Sequence, residues 1–244
     1  MIWLYNLSAT FLAWAYFTLG FVFLHAPAYL AALSRHDSRA CFQRYNRKFF
    51  QNFFSLLTRL CPATSWDVDA RVGAIDGAVV LCNHQSYLDP LLLISLLPRS
   101  VTVVKPIFFS VPIFGAFIKK TGYFPATASG RYGGLTLTSL EELPEFFAAG
   151  GSLFIFPEGT RNRASHGLKP LQDGALKLAL YTHRPIAVLH LSGTGRLFPP
   201  DKFLFNAKAK NHISLKLLAT IEVGACANAR QLRARLEEIF GQAV

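Results

Sequence analysis

The sequence predicts an α/β fold, a single domain with a mixed, largely parallel sheet flanked by helices, preceded by N-terminal membrane-associated helices. Three features of the 244 residues point there. Short apolar runs bounded by turn residues alternate with helical stretches from about Val68 onward, the pattern of strands joined by crossover helices. One long uncharged segment stands at the start, and polar residues cluster directly behind several strand-like runs.

Between Ile2 and Leu33 there is no Asp, Glu, Lys or Arg. About 20 apolar residues suffice to cross the hydrocarbon core of a bilayer. Pro27 is expected to end or kink a first helix near Leu24 to Ala26, and Trp3, Tyr5, Trp14 and Tyr16 supply interfacial aromatics. No basic residue precedes the run, which argues against a cleaved signal peptide. Arg35, Arg39, Arg44, Arg47 and Lys48 follow it, so the positive-inside rule puts the bulk of the chain on the cytoplasmic side of the inner (cell) membrane. Asn46 to Leu60 then places Phe49, Phe50, Phe53, Phe54, Leu56, Leu57 and Leu60 at roughly helical spacing beside Arg47, Lys48 and Arg59. Such a helix fits a bilayer interface or a protein core equally well. A monotopic hairpin and a full span followed by a surface helix are both compatible. The expected division is a membrane-anchoring helical segment over 1–60 and a domain over 61–244.

Gly77 to Cys82 reads as a buried strand, Leu88 to Leu97 as a helix closed by Pro98, and Val101 to Val104 as a strand. Ile107 to Lys119 is helical apart from Pro112. Leu135 to Ala149 is a helix with Ser139 and Glu142 in capping-box spacing and Gly150-Gly151 as its stop. Ser152 to Phe156 forms a strand, Gly174 to Tyr181 a helix and Ile186 to Leu191 a strand. Ile213 to Val223 supplies one or two more strands, and Asn228 caps a last helix with Leu232, Leu236 and Ile239 on one face.

Composition narrows the classes. Lys and Arg outnumber Asp and Glu by 25 to 14, a net charge of +11, while 52% of residues are hydrophobic and 16% charged. That balance excludes disorder. A pI near 9.8 suits nucleic acid or an anionic membrane surface, but 22 Phe and a mean hydropathy of +0.30 favour the membrane lipid bilayer as partner, with no nucleic acid. Cys41, Cys61, Cys82 and Cys226 have no short regular spacing and read as reduced thiols, and no histidine shows metal-ligand spacing, so no metal is expected. His25, His36, His166, His183, His190 and His212 read as solvated or packing residues, and Arg230, Arg233 and Arg235 as a solvated helix face.

Three strand ends carry candidate chemistry. Cys82 leads into Asn83-His84-Gln85-Ser86-Tyr87-Leu88-Asp89, where a histidine past a strand's carboxyl end lies where open α/β sheets bind ligands. Asp89 can turn back to one ring nitrogen and leave the other free as a base; taken alone, the spacing equally suits a carboxylate that only caps the helix. Lys105 follows the second strand, and Phe156-Pro157-Glu158-Gly159-Thr160-Arg161 follows a third. In a parallel sheet the base candidate, the lysine and the arginine converge on one edge.

These blocks resemble those of the glycerolipid acyltransferase family whose type member acylates 1-acyl-glycerol-3-phosphate at its second hydroxyl. The family's Asn-His-x4-Asp block matches Asn83 to Asp89, its Lys-x-x-hydrophobic…Pro-x-hydrophobic-Gly block matches Lys105 to Gly115, and its Phe-Pro-Glu-Gly-Thr-Arg block matches Phe156 to Arg161. The resemblance implies His84 as general base, Asp89 as its orienting carboxylate, and Asn83, Lys105, Glu158, Gly159, Thr160 and Arg161 as substrate-binding residues. Glu158 and Gly159 would shape the pocket, with backbone N–H groups near the developing oxyanion, unless Glu158 simply pairs with Arg161. It further implies a lysophospholipid acceptor and an acyl-CoA or acyl-carrier-protein thioester as donor, no cofactor besides that co-substrate, and direct transfer without an acyl-enzyme. Cys82, aimed away by strand alternation, has little weight as a nucleophile. Two departures bear on the acceptor. Gly122 to Thr127 lacks the Arg many relatives carry, and Leu171-Gln172-Asp173-Gly174 lacks a Lys, although Lys169 is near. The proline-rich fourth block keeps only Pro185. The same chemistry on another single-chain acceptor, such as a lyso-ornithine lipid, and a non-catalytic membrane-binding protein are the competing readings.

Overall fold

The computed structural model describes residues 1–127, 129–163 and 167–242, so His166 lies outside the described residues. The strands are β1 (Thr64–Val68), β2 (Val79–Cys82), β3 (Ser100–Val104), β4 (Phe124–Pro125), β5 (Ser152–Ile155), β6 (Ile186–Ser192) and β7 (Asn211–Ile221). They form one sheet in the order β1-β7-β6-β2-β5-β3-β4. β6, β2, β5, β3 and β4 are parallel, while β7 runs antiparallel to β6 and carries β1 parallel to itself. β2 and β5 are buried at every position, which is why both read as unbroken apolar runs rather than alternating ones.

The helices are α1 (Ile2–Ala15), α2 (Ala26–Leu33), α3 (Ser38–Leu60), α4 (Leu88–Leu96), α5 (Phe114–Thr121), α6 (Gly133–Ala148), α7 (Asp173–Tyr181), α8 (Thr194–Leu197) and α9 (Ala229–Gly241). α3 packs on α4, and Phe49, Phe50, Phe53, Phe54 and Leu57 join the core beneath the sheet. The phenylalanine-rich helix is therefore a core helix. α3, which ends at the division expected at residue 60, packs against the domain, and the residues before α3 carry a large exposed apolar surface.

Those residues form one helical segment, Ile2–Leu33, long and apolar enough to cross a membrane. Tyr16–His25 within it is π-helical, and the Ala26 N–H reaches back to the Phe21 carbonyl. Pro27, which has no N–H to give, stands immediately after this wider stretch, at the start of α2. One side of the segment is fastened to the domain. Tyr5 Oη donates to the Leu60 carbonyl (3.1 Å), and Thr10 Oγ1 accepts the Phe205 N–H (2.9 Å). Trp14 packs on Phe198, Phe203 and Phe205, Tyr16 stacks on Phe49, and Tyr29 donates to Asn46 Oδ1 (2.6 Å). The other side exposes Phe11, Leu12, Leu19, Phe23, Leu24 and Leu30.

Local departures from the sequence reading have simple causes. β1 and α8 were not expected, and Pro106–Ser110 forms a separate 3-10 turn before α5 instead of continuing it. α6 starts at Gly133, so Ser139 sits mid-helix and its hydroxyl bonds the Leu135 carbonyl; its spacing to Glu142 marks no terminus. Ile213 to Ile221 lies in a single strand, β7, which ends before Val223. Asn228 does cap α9, accepting the Gln231 N–H at 3.0 Å.

Candidate active site

The parallel block places the carboxyl ends of β2, β5 and β3 side by side on one edge. From the end of β2 the chain makes a tight loop and enters α4, whose first turn contains Asp89. His84 Nδ1 lies 2.8 Å from Asp89 Oδ2; the carboxylate is fully buried and the histidine side chain 15% exposed. Asp89 Oδ2 also accepts the backbone N–H groups of Gln85 (2.5 Å) and Ser86 (2.8 Å), and Oδ1 accepts the Thr194 hydroxyl (2.6 Å). Asp89 thus fastens the loop at the helix start and holds the imidazole at once. Since the carboxylate only accepts, Nδ1 carries the hydrogen, and in the neutral ring Nε2 is the nitrogen with the free lone pair. The ring lies flat on Phe156, centroids 4.2 Å apart, and no described residue bonds Nε2.

Glu158 ties the β5 loop to this one. Its Oε1 accepts the His84 N–H (2.9 Å) and its Oε2 the Lys169 N–H (2.9 Å). Burial raises the Glu158 pKa, with the two backbone donors pulling the other way. Among the described residues Glu158 makes no ion pair with Arg161. Gly159 has φ +66°, a conformation favoured only for glycine, and a Cβ there would press on the Gln172 side chain. Its N–H closes the turn onto the Phe156 carbonyl (3.0 Å), so this N–H is not directed at an oxyanion. Asn83 is equally occupied: its Nδ2 donates to the Leu191 carbonyl (2.8 Å) and its Oδ1 accepts the Leu191 N–H (2.7 Å), binding β2 to β6 instead of facing a ligand.

The cationic groups are placed otherwise. Arg161 lays its guanidinium over the Tyr87 ring, 3.6 Å from the centroid, and its Nη1 is buried without a hydrogen-bond partner among the described residues. A buried unpaired donor costs about 1–3 kcal/mol, which an anion accepting from it would remove. Lys105 stands exposed at the end of β3 with no ion pair among the described residues, and Thr160 is exposed beside Arg161. Behind Lys105, Ile107, Phe108, Val111, Ile113 and Phe114 form an exposed apolar knuckle. Gly115 ends that block because a Cβ there would overlap the Phe109 carbonyl.

Cys82 is fully buried, and burial, followed by the nearby Asp89 and Glu158 charges, pushes its thiol well above the ordinary range. It is no nucleophile in this state. The residues that sequence reasoning missed are Thr194 and Phe198, whose carbonyl accepts the Ser86 hydroxyl at 2.9 Å. Only the glycine pair around Thr194 hinted at a sharp turn.

A family model described as Acyltransferase matches residues 69–191. The chain is similar to a chloroplastic 1-acyl-sn-glycerol-3-phosphate acyltransferase of Brassica napus, 28% identical over 172 residues, covering 68% of this chain and 49% of that protein. It is 32% identical over 122 residues to a chloroplastic 1-acyl-sn-glycerol-3-phosphate acyltransferase of Arabidopsis thaliana, covering 50% of this chain and 33% of that protein. The matches thus span half or less of these plant relatives. Against the 1-acyl-sn-glycerol-3-phosphate acyltransferase of Escherichia coli K12 the identity is 27% over 213 residues, covering 83% of each. The crystal structure of the 1-acyl-sn-glycerophosphate (LPA) acyltransferase PlsC from Thermotoga maritima shares the fold, with a TM-score of 0.77 at 20% identity, covering 100% of this chain and 96% of that one.

Proposed function

The chain belongs to the acyltransferase family, and on that premise we propose that it moves a fatty acyl group from an acyl thioester to the free hydroxyl of 1-acyl-glycerol-3-phosphate, giving phosphatidic acid. The observation that carries the reading is the pairing of His84 with buried Asp89, which leaves Nε2 unbonded by any described residue, on the sheet edge that also carries Arg161, whose Nη1 lacks a partner among the described residues.

An alcohol at neutral pH attacks a thioester poorly unless its proton leaves as the bond forms. His84 Nε2 takes that proton while the hydroxyl oxygen bonds the acyl carbon, a step worth roughly 10²–10⁴-fold. The carbon–sulfur bond breaks, and the departing thiolate recovers the proton from the imidazolium. Asp89 stabilises the positive ring between these events, as the acid of a catalytic triad does. Arg161 and Lys105 hold the acceptor phosphate, Arg161 with the planar fork that suits it. Glu158 keeps the two loops in register, Asn83 ties β2 to β6, Gly159 closes the β5 turn, and Thr160 borders the phosphate. The donor is acyl-CoA or an acyl-carrier-protein thioester, with no further cofactor.

The Ile2–Leu33 segment is fastened to the domain at points from Tyr5 to Tyr29, which supports a monotopic helix lying in the cytoplasmic leaflet of the inner membrane rather than a span. The knuckle behind Lys105 offers a second exposed apolar surface for membrane contact. Replacing Leu19 and Phe23 together by Asp is expected to release the protein from anionic vesicles while its Tm is unchanged; undiminished sedimentation with vesicles would contradict the helix as the attachment.

The absence of an Arg from Gly122 to Thr127 favours, as second reading, the same chemistry on a single-chain acceptor without phosphate. Purified protein supplied with acyl-CoA and either 1-acyl-glycerol-3-phosphate or a lyso-ornithine lipid decides between them. Phosphatidic acid formed much faster than the acylated ornithine lipid supports the first reading. Equal or faster turnover of the phosphate-free acceptor would replace it with the second.

A further inference from the structure

We propose that Thr194 is a positioning residue for the base: its hydroxyl locks the Asp89 carboxylate in the one rotation that steers His84. The proposal rests on the reading of His84 as the acyl-transfer base and adds a residue that lies outside the family match, which ends at Leu191.

The two oxygens of Asp89 are unequally loaded. Oδ2 receives His84 Nδ1 and the Gln85 and Ser86 N–H groups, whereas Oδ1 receives only the Thr194 hydroxyl among the described residues. Rotation about the last side-chain bond of an aspartate is soft and two-fold. Three donors on one oxygen would leave the other a bare acceptor in a site fully closed to water, since both Asp89 and Thr194 are 0% exposed. Such an oxygen is costly to bury, so the carboxylate would turn to share its donors and loosen its hold on Nδ1. The threonine hydroxyl removes that incentive.

Thr194 is itself held with little freedom. It opens α8 directly behind Gly193, which has φ +84° and lies so close to β7 that a Cβ would overlap the His212 carbonyl. Asn211 Nδ2 donates to the Gly193 carbonyl at 3.0 Å. Four residues on, the Phe198 carbonyl accepts the Ser86 hydroxyl, whose oxygen accepts the Leu88 N–H (3.3 Å). Residues 193–198 therefore back the His84 loop at two points, one on Asp89 and one on Ser86. Phe198 in turn stacks on Phe205 and meets Trp14 of α1 edge-on, so the backing is part of the packed domain.

The test uses the full chain and compares Thr194→Val, which keeps the shape and loses the hydroxyl, with Thr194→Ser, which keeps the hydroxyl. Loss of a hydrogen bond to a charged group predicts a kcat for Thr194→Val lower by roughly 10–100-fold, with KM for donor and acceptor little changed. Thr194→Ser is expected to recover most of kcat. Heteronuclear NMR of the His84 ring supplies a readout independent of turnover: the parent and Thr194→Ser hold the hydrogen on Nδ1, and Thr194→Val shows a mixture of tautomers. Unchanged kcat and an unchanged tautomer in Thr194→Val overturn the proposal, as does a serine variant no better than valine. A parent protein that transfers no acyl group, yet whose His84 tautomer shifts in Thr194→Val, would retire the proposed reaction and leave the positioning role standing.

Discussion

Asp89 accepts from four donors contributed by one loop and one helix start, whereas Arg161 keeps a buried nitrogen with no partner among the described residues and Lys105 reaches into solvent. The groups that would move the proton are fixed before any substrate arrives; those that would hold the anion are left incomplete. Preorganisation matters most where charge develops during reaction, because reorienting dipoles at that moment raises the barrier. Recognition has the opposite need: a donor already satisfied within the protein has less to offer a phosphate. Glu158 joins the two loops by accepting the His84 and Lys169 N–H groups, and so keeps them in register.

Substitutions that separate the halves test this contrast. His84→Ala should act on kcat, lowering it roughly 10²–10⁴-fold while secondary structure is kept. A rise confined to KM, with kcat unchanged, would place the histidine in the recognition half. Arg161→Ala should do the reverse, raising KM for a phosphate-bearing acceptor by about 10–100-fold with kcat nearly preserved, as expected for one charge-assisted hydrogen bond. Lys105→Ala should follow in the same direction with a smaller effect, because its exposed ammonium is screened by water and salt.

Glu158 sharpens the contrast through stability. Burial raises its pKa above the ordinary 4.5, so the folded protein binds this proton more readily than the unfolded chain does. Its contribution is therefore most favourable below the ordinary glutamate range and is lost as pH climbs through the raised folded value. Thermal unfolding of Glu158→Gln against the parent should show a smaller decline of Tm across that window, and an unchanged slope would remove Glu158 as the cause. The smallest effect is expected at Cys82. With its thiol held protonated by burial, Cys82→Ala should lose some stability to the cavity and keep turnover, and thiol alkylation of the folded parent should not inactivate it.

Much of this arrangement is legible in the residues. β2 and β5 announce themselves as unbroken apolar runs because both of their faces are covered, and the polar blocks behind them mark the ligand edge of a parallel sheet. The His84–Asp89 spacing is visible as well, although spacing alone does not say whether Asp89 caps a helix or steers a ring; it steers the ring and holds the Gln85 and Ser86 N–H groups of the loop, and α4 has no side-chain cap. β1 is harder to see because Thr64 to Val68 is polar and lies at the sheet's edge, paired only with β7. The place of α3 is hidden for another reason, since a phenylalanine stripe is equally fit for lipid and for protein, and only α4 decides. Asn83 looks like a ligand-binding amide until its two hydrogen bonds to Leu191 are seen. Thr194 bonds a partner 105 positions away, and no local pattern distinguishes such a threonine from any other.

The division of labour is tested most directly by calorimetric binding of 1-acyl-glycerol-3-phosphate to parent, His84→Ala and Arg161→Ala proteins without acyl donor. The expected result is an unchanged Kd for His84→Ala and a Kd weakened by at least about tenfold for Arg161→Ala. Equal weakening in both variants, or weakening in His84→Ala alone, would contradict the separation of a prebuilt base from a cationic cradle completed by its ligand.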